Sequence, residues 1–219
     1  MVIDYSETVN KFTDVDAYPF PDVDSIVNRA AENNYFSKID LKSAYHQIPL
    51  KEDDQPFTAF EVAGNLYQFK RMPFGITNAV PTFQRIMDQI ISANKLEKTY
   101  AYLNDVIVCG KTSKQHEENL EKFMNVIKQQ NMTINHEKCQ LKTQKIEILG
   151  YVIENSSKRP NSERLSALIE FPTPNSPHSL RRLLGLFAYN SKWIKDYSEK
   201  ISPLLESLAQ SSFPLNVSN

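Results

Sequence analysis

The sequence predicts an α+β chain, an antiparallel sheet with covering helices followed by a small helical subdomain. Three observations predict it. Two short runs of aromatic and β-branched residues, Tyr100 to Tyr102 and Val106 to Cys109, flank the polar pair Asn104-Asp105, as in two strands joined by a tight turn whose residues tolerate positive φ. Amphipathic helical stripes stand on both sides of that hairpin. From Pro160 onward the pattern changes to leucines at helical spacing, interrupted by Pro172-Thr173-Pro174-Asn175-Ser176-Pro177.

In chain order, Pro21 and Asp22 open a helix in which Val23, Ile26, Val27, Ala30 and Ala31 recur on one face. Tyr35 to Leu41 reads as a short strand ending in the carboxylate of Asp40. Lys42 to His46 predict a short helical turn before Pro49. Phe57 to Val62 and Leu66 to Lys70 alternate around Ala63-Gly64-Asn65, which predicts a hairpin. Pro73-Phe74-Gly75 is a loop, and a glycine after a bulky residue lets backbone approach a ligand closely. A helix from about 78 to 92 follows, with Phe83, Ile86, Met87, Ile90 and Ile91 as its apolar stripe and Pro81 tolerated in its first turn. Beyond the central hairpin, Ser113 caps a helix with Leu120, Phe123, Met124 and Ile127 on one face and Lys114, Glu117, Glu118, Glu121 and Lys122 on the other. Lys145 to Ile153 is strand-like, and Gly150 inside it predicts a bend. Leu165, Leu168 and Ile169 then mark a short helix, and Leu180, Leu183, Leu184, Phe187 and Ala188 begin another.

With 219 residues and 41% hydrophobic content, the chain buries a real core within one or two domains. It has no apolar run of about eighteen residues and no charged-then-apolar leader, which predicts a soluble, intracellular protein without a membrane partner. Cys109 and Cys139 are its two cysteines, too few for a disulfide framework. His136 and Cys139 have metal-like spacing, but no second pair completes a zinc site. The net charge of −1 hides an asymmetry: residues 1–60 carry eleven acids and five bases, whereas residues 158–200 carry eight bases and four acids. A phosphate backbone would be met by the basic end.

An Asn-Asp pair between strands is by itself plain turn chemistry. Here a second strand end carries Asp40, and a hairpin tip beside that strand end brings Asp40 and Asp105 together. Two clustered carboxylates suggest magnesium.

Four motifs stand in order: Phe36-Ser37-Lys38-Ile39-Asp40-Leu41-Lys42-Ser43-Ala44-Tyr45-His46-Gln47-Ile48, Arg71-Met72-Pro73-Phe74-Gly75-Ile76-Thr77-Asn78-Ala79, Tyr102-Leu103-Asn104-Asp105 and Ile148-Leu149-Gly150-Tyr151. Together they resemble the reverse transcriptase of gypsy-type LTR retrotransposons, and the similarity runs from Val2 to about Leu205. The resemblance implies a polymerase palm with partial fingers over residues 1–157 and a helical thumb over residues 158–219. It implies Mg²⁺ held by Asp40 and Asp105, and a deoxynucleoside triphosphate beside Tyr45, Phe74 and Gly75, with Tyr45 as the steric gate against a 2′-hydroxyl. An RNA/DNA or DNA/DNA primer–template would lie against Gln84, the primer-grip residues Leu149, Gly150 and Tyr151, and Arg181 and Arg182, with Lys192 and Lys195 nearby. Trp193 is expected as an anchor of the thumb core.

The chain departs from the family pattern in three places. Asn104 stands where Tyr-x-Asp-Asp has its first Asp, a carboxylate that helps hold both metals, so nucleotidyl transfer is expected to be impaired. Ser6 follows Asp4-Tyr5 where arginine is common. The chain also begins part-way through the fingers and ends before a ribonuclease H domain, as expected of a fragment or a degraded element copy.

Overall fold

In the computed structural model, which describes residues 3–209, the chain divides into two compact units, residues 1–159 and 160–219. The α+β expectation holds. Helix α1, Val23–Ala31, starts where Asp22 accepts a hydrogen bond from the Ser25 amide, and it buries Ile26, Val27 and Ala30. Strand β1, Tyr35–Asp40, follows. A 3-10 turn over Ala44–Gln47 and another over Glu52–Thr58 lead to a small exposed hairpin, β2, Phe60–Val62, and β3, Asn65–Tyr67. This hairpin is shorter than its sequence suggests, because Phe57 belongs to the preceding helical turn.

Helix α2, Ala79–Ala93, buries Phe83, Met87 and Ile90 as expected. The central hairpin comprises β4, Thr99–Tyr102, and β5, Asp105–Gly110. Helix α3, Ser113–Gln129, is capped one residue earlier than expected: the Thr112 hydroxyl accepts from the Gln115 amide. Strand β6, Gln140–Thr143, has no apolar alternation, and sequence patterning misses it; backbone pairing with β1 makes it a strand. The principal sheet thus runs β4-β5-β1-β6. Ile39, Val106, Val108 and Ala101 from its strands meet Phe83 and Met87 of α2 and Leu120, Phe123 and Ile127 of α3 in one apolar core. Such side chains contribute about 1.5–3 kcal/mol each when fully buried.

The Lys145 to Ile153 segment is not one bent strand. It is a hairpin, β7, Lys145–Ile148, and β8, Tyr151–Glu154, turning through Leu149 (φ 49°) and Gly150 (φ 79°). Two positive φ values in a two-residue loop suit the right-handed twist of the strands it joins. A third strand, β9, Ser157–Pro160, completes this sheet, so the expected boundary at 157/158 cuts through an element.

The second unit holds α4, Ser162–Ile169, α5, Pro177–Tyr189, and α6, Tyr197–Ala209. Pro177 at the start of α5 and the reciprocal bonds between Ser176 and Ser179 explain why the helix begins there. No helix among the described residues is long and apolar enough to cross a membrane.

Candidate active site

The site is built on one row of the principal sheet. In the antiparallel pairing of β1 with β5, Asp40 lies directly opposite Asp105, and Asp105 in turn faces Tyr102 of β4. Residues opposed in an antiparallel ladder share a face, with Cα atoms about 4.5–5.5 Å apart. The two carboxylates therefore stand side by side on the face opposite Ile39, Val106 and Ala101, and both are half-buried.

The turn is shifted by one residue from the expected Asn104-Asp105. Tyr102 pairs with Asp105, so the two loop residues are Leu103 and Asn104, and Leu103 takes φ 53°. Asp105 is consequently the first residue of β5, a position fixed by ladder pairing rather than carried on a loop. Main-chain bonds hold the neighbourhood: the Leu41 amide donates to the Asn104 carbonyl at 3.4 Å, and the Asn135 amide donates to the Asp40 carbonyl at 2.9 Å.

Lys38, two residues before Asp40 on the same face of β1, places its ammonium 2.9 Å from Asp105 Oδ2. Sequence reasoning missed this contact, although the i, i+2 spacing of Lys38 and Asp40 in a strand is its signal. Asn104 Oδ1 is buried and accepts no hydrogen bond. A buried oxygen acceptor without a donor next in sequence to Asp105 is chemically suited to a hard cation.

Gln84, expected beside the template–primer, is fully buried in α2. Its side chain donates to the Ala101 carbonyl at 3.0 Å and to Asp88 at 3.1 Å, and accepts from the Leu103 amide at 3.0 Å. It bolts the turn to α2 from inside the fold. Tyr151 is likewise buried, with its hydroxyl bonded to Asp24 of α1 at 2.9 Å, whereas Leu149 and Gly150 are half-buried at the tip of their hairpin. Of the expected grip, the turn alone presents surface.

The residues expected around the nucleotide lie together. The Tyr45 ring meets Phe74 edge to face at 5.2 Å and Phe83 at 5.8 Å, and burial raises the pKa of its phenol. Phe74, 36% exposed, also meets His46 at 5.0 Å. Gly75 has φ 92°, and a Cβ there would lie 2.9 Å from the Ile3 carbonyl. The close approach that requires glycine is thus made by this chain's own N-terminal segment. Asn10 adds to it, donating to the Gly75 carbonyl at 2.7 Å and accepting from the Thr77 amide at 2.9 Å.

In the second unit, Arg181, Arg182, Lys192 and Lys195 are all exposed, and Trp193 is half-buried. Among the described residues no group of three or more His, Cys, Asp or Glu could hold a metal ion. Any divalent ion at Asp40 and Asp105 has two carboxylates and water to draw on. That set fits Mg²⁺, which takes hard oxygen ligands, keeps several waters and often uses only one or two carboxylates.

Comparison with known proteins places these features in context. The sequence profile of the family described as reverse transcriptase (RNA-dependent DNA polymerase) matches residues 4–153. The chain is 34% identical over 204 residues to the retrovirus-related Pol polyprotein from transposon opus, and 32% identical over 208 residues to that from transposon gypsy, both of Drosophila melanogaster. The matches cover 93% and 95% of this chain but 20% of each relative, so the chain spans about a fifth of their length. Among solved structures, the foamy viral protease–reverse transcriptase in complex with double-stranded DNA superposes with a TM-score of 0.84, at 23% identity over 97% of this chain and 37% of the other. The same viral protein with an RNA/DNA hybrid gives a TM-score of 0.76, at 24% identity over 97% of this chain and 28% of the other.

Proposed function

The chain belongs to the reverse transcriptase (RNA-dependent DNA polymerase) family, and we propose that it is the polymerase domain of a retrotransposon Pol polyprotein in which nucleotidyl transfer is impaired at Asn104. The observation that carries this reading is the pairing of Asp40 with Asp105 across adjacent strands beside a neutral Asn104.

The residues divide the work as follows. Asp40 and Asp105 supply the negative charge and the hard oxygens at the reacting centre. Mg²⁺ bound there would activate the primer 3′-hydroxyl and offset charge on the triphosphate. Tyr45 and Phe74, held against each other, form the wall for a deoxynucleoside triphosphate. The exposed Arg181 and Arg182, with the basic excess around them, would meet primer–template phosphates. Asn104 contributes one neutral oxygen where a carboxylate would contribute a full charge. At about 1.4 kcal/mol per decade, losing several kcal/mol of transition-state stabilisation slows the reaction roughly a hundred- to ten-thousandfold.

Asn104→Asp tests this directly. Mg²⁺-dependent primer extension should rise by decades in the variant, and Asp40→Asn in that background should abolish it again. Nucleotide concentration has to be scanned, since a weak triphosphate site would hide the gain at low concentration. Asn104 also favours a second reading, a catalytically inactive nucleic-acid-binding or protein-interaction remnant. Primer–template binding without extension by Asn104→Asp at every nucleotide concentration would establish that second reading and end the first.

A further inference from the structure

The geometry points to Lys38 as the built-in counter-ion of the carboxylate pair, a positioning residue with which a divalent ion has to compete for Asp105 and that thereby sets how tightly the site takes metal. The inference rests on the reading of Asp40 and Asp105 as the metal-binding pair.

Lys38 and Asp40 leave β1 on the same face, and Asp105 faces Asp40 from β5. A lysine in this place has two carboxylates within reach. Its ammonium contacts Asp105, at 2.9 Å from Oδ2, and the two side chains are 28% and 30% exposed. Opposed like charges in an antiparallel pair repel, so the ammonium offsets a repulsion that the Asp40–Asp105 pairing creates. Lys38, Asp40 and Asp105 together carry a formal charge of −1, and neutral Asn104 leaves that balance unchanged.

Two consequences follow for a divalent ion. Asp105 Oδ2 is already engaged by a donor, so an ion that coordinates through that oxygen competes with Lys38 for its lone pairs. While the ammonium stays within a few ångströms, it repels the incoming ion through a partly buried region where salt screens incompletely. Lys38 therefore holds Asp105 in register with Asp40 in the free protein and lowers its affinity for metal. Asn104 lowers the same affinity by a separate route, the loss of a ligand charge.

The test uses Mn²⁺ as the probe, with free ion followed by its electron paramagnetic resonance signal, so that no catalytic turnover enters the measurement. Lys38→Met should bind Mn²⁺ about tenfold or more tightly than the unaltered chain. Lys38→Arg, which keeps the charge, should stay close to the unaltered affinity. Asp40→Asn combined with Lys38→Met should cancel the gain, locating it at the pair. Thermal unfolding gives an independent readout: without metal, Lys38→Met should melt below the unaltered chain, and millimolar Mg²⁺ should raise its midpoint more. Lys38→Gln serves in the same measurements if the methionine variant misfolds.

Unchanged or weaker Mn²⁺ binding in Lys38→Met, with Asp40→Asn still reducing binding, would overturn the role of Lys38 and leave the carboxylate pair standing. Mn²⁺ binding indifferent to Asp40→Asn in every background would instead overturn the pair, and this inference with it.

Discussion

At the scale of single residues, side chains with similar sequence signals turn out to have different work. Asn104 was legible, since its neighbours define the motif it departs from. Gln84 was not: a glutamine on a helix carries no mark of whether it faces solvent or a turn, and its three bonds to the hairpin and to Asp88 exist only once α2 packs on β4. Gln84→Ala leaves the Leu103 amide and the Ala101 carbonyl without these partners, and should cost about 2–3 kcal/mol in urea unfolding. His116 was hidden for the same reason. It is 1% exposed on α3, and its Nε2 lies 3.0 Å from the hydroxyl of Ser37, which itself accepts from the Lys142 amide at 3.0 Å. Burial pushes the His116 pKa below its usual 6.5, opposed by Glu117 and assisted by Lys142. Because the unfolded chain then takes the proton first, this stability is complete above about pH 6.5 and is lost as pH falls through the lower folded value. Urea midpoints should fall between about pH 7 and about pH 5, and His116→Gln should flatten that part of the dependence.

At the scale of elements, existence was easier to read than edges. The apolar stripes of α2 and α3 and the alternation of the central hairpin reflect burial, which side-chain chemistry reports directly. The exposed edge strand β6 is held by main-chain pairing, and nothing in Gln140-Leu141-Lys142-Thr143 announces it. Turns fell between these cases. Asn104-Asp105 has the better turn chemistry, yet pairing of Tyr102 with Asp105 places Leu103 at φ 53°, because register across three strands outweighs the preference of one residue. Leucine in the left-handed region costs about 1–2 kcal/mol, partly offset in any glycine replacement by the entropy of the unfolded chain. Leu103→Gly should therefore raise stability by about 0.5–1 kcal/mol, read from the shift in denaturant midpoint at constant slope.

At the scale of the whole molecule, the near-neutral total charge conceals an acidic first quarter and a basic stretch over residues 158–200. The change in pattern near Pro160 was legible, while strand β9 beside it was not, because Ser157-Lys158-Arg159-Pro160 reads as polar linker. If the basic stretch meets phosphate, binding of a primer–template should be nearly independent of its sequence and steeply salt-dependent. Replacing Arg181 and Arg182 by glutamate should weaken it at low salt, and replacing both by glutamine should make the log–log salt dependence shallower by about 2. A fluorescence-anisotropy titration at several salt concentrations would measure both, and an affinity flat in salt would move the contact surface elsewhere.

The strap over Gly75 bears on how this sequence can drift. Since the Ile3 carbonyl occupies the space a Cβ would need, selection for folding alone is enough to purge substitutions at Gly75. Asp40 and Asp105 enjoy no such protection, since opposed carboxylates burden the fold that carries them. A lineage released from copying nucleic acid would keep the glycine and shed the acids, so the age of any loss of activity is written in the carboxylates and not in the loop.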